Sequence, residues 1–197
     1  MAVIVLNPSC QYGNVVMVAD KEVYNEGLNL FDIAAVTKTA LEKLGHQVYL
    51  TRDYRDEPSD LEREMLKANA YKPDLMVALH SDAAGPNSKP DVGGTSTFYA
   101  SKRGKNLSNC IHPKLCKAIK TIYPDHVDRG VRTHWHKLYV LHNINAPACL
   151  IEILFHTNSR ERKLLQNRDF HLLVAQAIAS GINDYLKLAI HNKKKII

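Results

Sequence analysis

The sequence predicts an α/β fold, with one twisted, mostly parallel sheet of about six strands and helices on both faces. Short apolar segments alternate with stretches whose apolar residues recur every three or four positions, the order expected of strands joined by helices. Residues 74–79 form a continuous apolar run, which is typical of a strand covered on both faces. The 197 residues show no internal repeat, so we expect a single domain over 1–188 and a basic tail, or the start of a linker, over 189–197.

Turn and capping residues predict where these elements begin and end. Asn7-Pro8-Ser9 ends the first apolar strand, polar sequence continues as a loop to Gly27, and Gly45 closes the helix that follows. Asn158 and Glu161 have the spacing of a capping box at the start of a short helix. The other predicted elements, in chain order, are strand 2–6, helix 30–44, strand 46–51, helix 59–70, strands 74–79 and 95–99, helix 103–122, strands 138–141 and 148–155, and a final helix that includes 170–186.

Composition narrows the range of partners. The net charge is +6, spread along the chain apart from the lysines at 193–195, which suits anionic surroundings or simply a solvated basic surface. Clustered arginine or aromatic-basic motifs are missing from the sequence, and so is an apolar stretch of bilayer length. We therefore expect no nucleic-acid partner and no membrane span, and the N-terminal segment is too short for a signal peptide.

The cysteine pattern predicts neither a disulfide scaffold nor a cysteine zinc site. Four cysteines at irregular spacing are too few for a disulfide scaffold or a paired C-x-x-C zinc site. Cys110 and Cys116 fall on one predicted helix, and Cys149 falls in an apolar strand. These three are expected to be buried core thiols.

Two polar residues interrupt the apolar pattern of buried strands. His80 directly follows the run 75–79, at the carboxyl end of a strand, where open α/β sheets bind their ligands. Glu152 lies within the apolar segment 149–155, where an ionised carboxylate costs several kcal/mol unless a cation or hydrogen bonds compensate it. A core histidine and a buried salt bridge are the alternative explanations. A shared metal or catalytic site explains both residues together.

Two further residues complete a possible zinc centre. Glu26 stands at the mouth of the first helix, where it either caps that helix or binds a metal, and His156 follows the strand that contains Glu152. Hydrolytic zinc takes three histidine or carboxylate ligands and leaves a position for water, which a nearby glutamate deprotonates. Glu26, one or two histidines and Glu152 supply this set.

In order along nearly the whole chain, the sequence resembles the zinc-dependent N-acetylmuramoyl-L-alanine amidases of bacterial autolysins and phage endolysins. Each matching block is weak alone, but the ordered set is specific. The matching segments are Val3-Ile4-Val5-Leu6-Asn7-Pro8, Glu26, Leu44-Gly45-His46-Gln47-Val48-Tyr49-Leu50-Thr51-Arg52, Ala68-Asn69, Leu79-His80-Ser81-Asp82, Gly94-Thr95-Ser96-Thr97-Phe98-Tyr99, Arg129-Gly130-Val131, Ala146-Pro147-Ala148-Cys149-Leu150-Ile151-Glu152, Phe155 and Asn158. The resemblance implies that Glu26 and His80 bind zinc and that Glu152 is the catalytic glutamate.

The sequence departs from the family at one ligand. The family's first zinc histidine belongs in the turn after Pro8, and Ser9-Cys10-Gln11 lacks one, whereas His156 stands where the family has an apolar residue. Our hypothesis is therefore a zinc ion held by Glu26, His80 and His156, with Cys10 as the second choice for the third ligand. Gln11, Asn14 and Asp82 are expected to contact the substrate.

Three other histidines belong to less informative sequence. His134 and His136 fall in a variable loop between the family motifs, so we expect no functional role for them; as an alternative, substrate contact explains them better than metal binding. His142 follows a predicted strand and carries no assignment.

The resemblance implies cleavage of the amide between N-acetylmuramic acid and L-alanine in peptidoglycan, with retention on anionic wall polymers aided by the basic surface. Action on the cell wall without a signal peptide suggests a phage enzyme released by a holin, or release by cell lysis. Two alternatives remain: a catalytically impaired, amidase-like module that binds muropeptide, and a basic nucleic-acid-binding or nuclease domain.

Overall fold

The computed structural model describes residues 1–9, 14–134 and 136–194, with the backbone alone over 190–194. Strands and helices alternate through these ranges. In chain order they are β1 (Val3–Pro8), β2 (Val15–Val18), β3 (Lys21–Asn25), α1 (Glu26–Lys43), β4 (Gln47–Leu50), α2 (Leu61–Ala70), β5 (Leu75–Asp82), β6 (Thr95–Tyr99), α3 (Lys102–Ile122), β7 (Asp128–Arg132), α4 (Tyr139–His142), β8 (Ala148–Phe155), α5 (Ser159–Leu165) and α6 (Arg168–Lys194).

Six strands form one sheet in the order β4-β1-β5-β8-β6-β7. The strands β4, β1, β5 and β8 are parallel, β6 runs antiparallel to β8, and β7 is parallel to β6. The strands β2 and β3 form a separate antiparallel hairpin. The predicted single-domain α/β fold with a mostly parallel sheet of six strands is confirmed.

The two faces of the sheet are covered unequally. Alternate strand residues such as Leu79 and Ile151 join the larger apolar cluster with α1, α3 and α6. Their neighbours Ala78 and Leu150 point to the other face, where a smaller cluster includes residues of α2 and α4. We call this second side the α2/α4 face. Because His80 and Glu152 follow Ala78 and Leu150 by two positions, strand alternation directs both toward this more thinly covered face.

Local signals account for several boundaries. The side chain of Asn25 accepts a hydrogen bond from the backbone N–H of Leu28 and so caps α1. Gly45 has a φ of +83° just after α1, as predicted for a residue that ends a helix. Asn158 caps α5, but the Glu161 carboxylate instead accepts hydrogen bonds from the N–H groups of Gly94 and Phe155. Only the Asn158 half of the predicted capping box is therefore present.

Four predicted segments differ from the structure. The run 138–141 is not a strand, because its last three residues lie in the short helix α4; a brief apolar run does not by itself separate helix from strand. The predicted loop before Gly27 contains the hairpin β2–β3, whose partly exposed residues show no clean alternation. The polar edge strand β7 was predicted as loop. The last helix continues past 188 to Lys194.

Within the ranges described, we find no helix that combines the length and the apolarity needed to cross a bilayer.

The contact between α6 and α3 depends on a glycine. A Cβ at Gly181 would lie 2.5 Å from Cα of Ile111 and 2.8 Å from the carbonyl oxygen of Cys110. We predict that Gly181→Ala lowers the free energy of unfolding by about 1–3 kcal/mol because the helices must separate. In an exposed helix the same change would raise it by about 1 kcal/mol. Urea unfolding of Gly181→Ala, beside the exposed control Ser180→Ala, measures the effect. Equal or greater stability of Gly181→Ala would contradict this packing.

Candidate active site

Polar side chains meet at the carboxyl ends of the neighbouring strands β5 and β8. His80 and Glu152 are direct partners in the register of these two strands. Glu26, the first residue of α1, brings its Oε1 atom within 3.4 Å of Nδ1 of His80. Three residues singled out from the sequence are thus close together, although up to 126 positions separate them in the chain.

Glu26 is held by hydrogen bonds at both carboxylate oxygens. Oε1 accepts a hydrogen bond from the backbone N–H of Ser81 at 3.0 Å, and the side-chain amide of Asn14 donates to Oε2. Burial raises the pKa of Glu26, and the hydrogen bonds from Asn14, Ser81 and Ser9 oppose that rise. Because Asn25 already caps α1, the carboxylate of Glu26 is directed at the strand ends and does not serve as a helix cap.

His80 has the protonation state that a metal ligand needs. Its side chain is buried, and burial lowers its pKa to about 4, so the imidazole is neutral at pH 7. Two ligands in one tetrahedral zinc shell lie roughly 3.3 Å apart, given bond lengths of about 2.0–2.1 Å. The 3.4 Å between His80 and Glu26 matches that separation. This pair therefore fits a zinc ion.

Glu152 carries a carboxylate oxygen without a partner. Its Oε2 atom is buried and makes no hydrogen bond among the described residues, although the residue as a whole keeps some exposure. Burial raises its pKa well above the usual value, and the negative charges of Asp82 and Glu26 raise it further. Within the described ranges, none of the ion pairs formed by lysine or arginine involves Glu152. The buried-salt-bridge explanation is therefore unsupported.

The structure does not bring His156 into one ligand group with Glu26 and His80. Its Nδ1 atom lies 3.0 Å from both Oγ and the carbonyl oxygen of Ser81, and its ring stacks on Tyr24 at 5.4 Å between centroids. Burial lowers its pKa, so the ring is neutral near pH 7. Among the described residues, the ligand atoms of these three do not all lie within 4.8 Å of one another. Nε2 is the ring nitrogen left for a metal.

Of the other predicted site residues, Asn14 and Asp82 lie within the described part of the chain. Cys10 and Gln11 lie outside the described residues. Asn14 contacts Glu26 directly, so it helps to position that carboxylate. Asp82 lies past an irregularity in the β5–β8 ladder, and burial raises its pKa against the opposing charges of Arg129, Arg132 and His134.

Two features beside the site were not predicted from the sequence: a series of hydrogen bonds from Tyr24 to His156, and the cation Arg132. The hydroxyl of Tyr24 lies 2.9 Å from Oγ of Ser81, which in turn contacts His156. Arg132 donates to Oγ of Ser96, the register partner of Glu152, and its guanidinium lies 5.3 Å from the ring centroid of Phe98. Arginine directly after the Arg129-Gly130-Val131 motif was the one available signal, and nothing in the sequence pointed to Tyr24.

A cavity of about 240 Å³ opens near the histidines of the 133–142 segment. His134 lines it and also contacts the ring of Phe98 edge-on, with 5.0 Å between ring centroids. The charge of His134 also acts on Asp82. The other lining residues are Tyr99, Ala100, Thr133, Lys137, Leu138, Leu141 and His142.

Two relatives of this chain are named as a cell wall amidase and an endolysin. A cell wall amidase of Bacillus anthracis, itself uncharacterised, is 30% identical over 185 residues, covering 87% of this chain and 34% of that protein. The endolysin of Bacillus phage SPP1 is 35% identical over 150 residues, covering 72% of this chain and 50% of the endolysin. The chain thus spans a third to a half of the length of these two relatives.

A solved structure matches the whole fold. The catalytic domain of CwlV, an N-acetylmuramoyl-L-alanine amidase from Bacillus (Paenibacillus) polymyxa var. colistinus, superimposes with a TM-score of 0.80 at 26% identity. The match covers 95% of this chain and 99% of that domain. The sequence profile of the N-acetylmuramoyl-L-alanine amidase family matches residues 8–184. This chain belongs to the N-acetylmuramoyl-L-alanine amidase family.

Proposed function

We propose that this protein hydrolyses the amide bond between N-acetylmuramic acid and L-alanine in peptidoglycan, with zinc as its metal and Glu152 as its general base. The observation that carries the proposal is the unpartnered buried carboxyl of Glu152 beside the Glu26–His80 pair. Family membership supports the same reaction, and the related proteins are named as a cell wall amidase and an endolysin.

Glu26 and His80 are the proposed first two zinc ligands, because both are buried and their donor atoms are 3.4 Å apart. His156 is the proposed third ligand, through Nε2. The contact of its Nδ1 with Ser81 would then fix its orientation, as hydrogen bonds commonly do for ligating histidines. Cys10 is the alternative third ligand. When bound, zinc would polarise the scissile carbonyl and bring the pKa of a coordinated water to about 7.

Glu152 would move the proton. Its carboxylate accepts a proton as the oxygen of water bonds to the lactyl carbonyl carbon, and it returns that proton to the L-alanine nitrogen as the carbon–nitrogen bond breaks. The environment raises its pKa above the ordinary range, which makes it a stronger base than an exposed glutamate. A divalent cation nearby would favour the ionised form that must start this cycle.

Substrate contacts are proposed for Asp82, Asn14 and Gln11, and peptidoglycan is the proposed partner. Asp82 ends β5 two residues after His80, and its carboxylate would accept a hydrogen bond from a donor group of the muropeptide. The formal charge of +6 would aid retention on anionic wall polymers. The cell wall is therefore the proposed place of action.

A non-catalytic muropeptide-binding module is the second candidate. The absent turn histidine favours it, as does the separation of His156 from the Glu26–His80 pair. Retention of Glu152 speaks against it, because binding a muropeptide gives no reason to keep a costly buried carboxyl group.

Replacement of Glu152 tests its role in catalysis. Glu152→Gln should lower the rate of hydrolysis of purified cell walls by about 10²–10⁴-fold, the usual contribution of a general acid–base. A chelator should abolish the wild-type rate, and added zinc should restore it. Turbidity loss and newly released amino termini measure the reaction, with the exposed Glu62→Gln as the matched control. Binding to walls without hydrolysis by the wild type would support the binding module instead.

Replacement of His156 tests which residue is the third zinc ligand. His156→Ala should lower zinc affinity about 10–100-fold or more, whereas Cys10→Ala should keep full zinc content after dialysis. Zinc per chain is measured by atomic emission, with the exposed His142→Ala as the control. Full zinc occupancy in His156→Ala combined with loss in Cys10→Ala would transfer the ligand role to Cys10.

The raised pKa of Glu152 predicts how the stability of the metal-free protein changes with pH. A raised folded-state pKa means that the neutral carboxyl stabilises the fold below about pH 4.5, and that this stability is lost as pH rises toward the folded pKa. The side chain in Glu152→Gln does not ionise, so this variant does not lose that stability as pH rises. The difference in free energy of unfolding between Glu152→Gln and wild type should therefore grow with pH, by up to about 1.4 kcal/mol per pH unit.

Urea unfolding of both proteins from pH 5 to 8 in the presence of chelator measures this difference. Comparing the two variants removes the contribution of His80, which has the opposite sign because its pKa is lowered. Zinc should flatten the wild-type curve. A difference that stays constant with pH would show that Glu152 titrates normally.

A further inference from the structure

A second group of metal-binding side chains lies between α3 and β7. His112 and Cys116 stand one helical turn apart on α3, and Asp128 is the first residue of β7. Nε2 of His112 lies 2.8 Å from Oδ1 of Asp128 and 3.4 Å from Sγ of Cys116. The ligand atoms of all three lie within 4.8 Å of one another.

This group is separate from the candidate active site. His112 hydrogen-bonds through Nδ1 to the hydroxyl of Thr97 at 2.8 Å. Thr97 lies between Ser96 and Phe98 on β6, and those two neighbours point to the α2/α4 face with Glu152 and Arg132. Because side chains alternate along a strand, Thr97 and His112 lie on the opposite side of the sheet.

The distances suit a small tetrahedral ion. With Zn–N near 2.0 Å, Zn–O near 2.0–2.2 Å and Zn–S near 2.3 Å, ligand atoms in one shell lie roughly 3.3–3.6 Å apart. The Sγ–Nε2 distance of 3.4 Å already matches. The Nε2–Oδ1 distance of 2.8 Å is that of a hydrogen bond, and it must open by about 0.5 Å when a metal replaces the shared proton. Exposure of about half of the Asp128 side chain makes that movement feasible.

The residues around these three side chains provide supporting hydrogen bonds and access from solvent. The contact with Thr97 fixes the ring of His112, and the N–H of Gly130 donates to Asp128 at 2.9 Å, so both ligands have supporting hydrogen bonds. His112 and Cys116 are buried, whereas the exposed Asp128 provides a route from solvent. A buried imidazole, thiol and carboxylate are ligand types of zinc and related transition metals, whereas Mg²⁺ and Ca²⁺ prefer oxygen alone.

A further buried histidine, His126, lies two residues before Asp128 in the chain. It is 4% exposed and hydrogen-bonds through Nε2 to the hydroxyl of Thr95. Its Nδ1 atom is buried and has no hydrogen-bond partner among the described residues. The charges of Asp128 and His112 act on His126, which lies outside the group whose ligand atoms are all within 4.8 Å of one another and would have to move to join it.

We propose that His112, Cys116 and Asp128 bind a zinc-like transition metal ion, with His126 or water in the fourth position. Such an ion would link α3 to β7, the edge strand that holds Arg132 beside the candidate active site. We assign this ion a structural role, because the three protein ligands lie on the face of the sheet that packs against α1, α3 and α6, away from Glu152. Cys116, which the sequence suggested was only a core thiol, would be the anchoring ligand.

Cobalt binding to the metal-stripped full chain tests the site, because a thiolate bound to Co²⁺ gives a charge-transfer band in the near ultraviolet. Wild type should show the band, and Cys116→Ser should lose it. Cys110→Ser, on the same helix, and Cys10→Ser, the alternative third ligand of the proposed amidase centre, should keep it. Asp128→Asn, which changes an exposed side chain, should weaken cobalt affinity at least about tenfold.

The outcomes separate this site from the proposed amidase centre. Absence of the band in wild type, or its persistence in Cys116→Ser, overturns the proposal. A band lost in Cys10→Ser but kept in Cys116→Ser assigns the thiolate to the active site and also overturns it. Should Cys116→Ser fail to fold, as judged by circular dichroism, Asp128→Asn decides: unchanged affinity refutes the site and weakened affinity supports it.

Discussion

Glu26, Asp82 and Glu152 are three carboxyl groups gathered where β5, β8 and the start of α1 meet. Burial raises the pKa of each. An ionised carboxylate in such a place costs several kcal/mol, and a domain has only about 5–15 kcal/mol of stability in total. Glu26 has hydrogen bonds at both carboxylate oxygens and opposing charges act on Asp82, so the cost falls mainly on Glu152, whose Oε2 has no partner among the described residues. The protein must either protonate Glu152 or bind a cation beside it, so binding of the proposed metal would be coupled to stability at this end of the sheet.

The sheet itself creates this concentration of charge. Parallel strands place the residues after their apolar runs at one common edge, and the β5–β8 register sets His80 beside Glu152. Strand alternation then directs both side chains to the α2/α4 face. The larger core on the opposite face, built from α1, α3 and α6, gives the domain most of its apolar burial. Most of the apolar burial and the proposed catalytic residues thus belong to different faces of one sheet.

The sequence predicted the features that interrupt a regular pattern. His80 and Glu152 were found because polar residues in buried strands are rare, and Glu26 was found because it opens a helix. The hairpin β2–β3 and strand β7 were missed because exposed strands show no apolar alternation. The His112–Cys116–Asp128 cluster was missed for a different reason. Each member resembles an ordinary core or surface residue, and only the packing of α3 on the sheet edge brings them together.

Strand β7 connects the two sites through an irregularity in its pairing. Thr95 pairs with Asp128 but Thr97 pairs with Val131, so β7 contains one extra residue between these partners. Such a bulge re-aims the side chains that follow it. Asp128 can thus face α3 while Arg132, four residues later, lies over Phe98 on the α2/α4 face. Gly130 lies inside the bulge with a φ of +84°, a conformation that disfavours other residues. The glycine of the Arg129-Gly130-Val131 motif therefore has a structural reason: it lets one edge strand supply a ligand to one face of the sheet and a cation to the other.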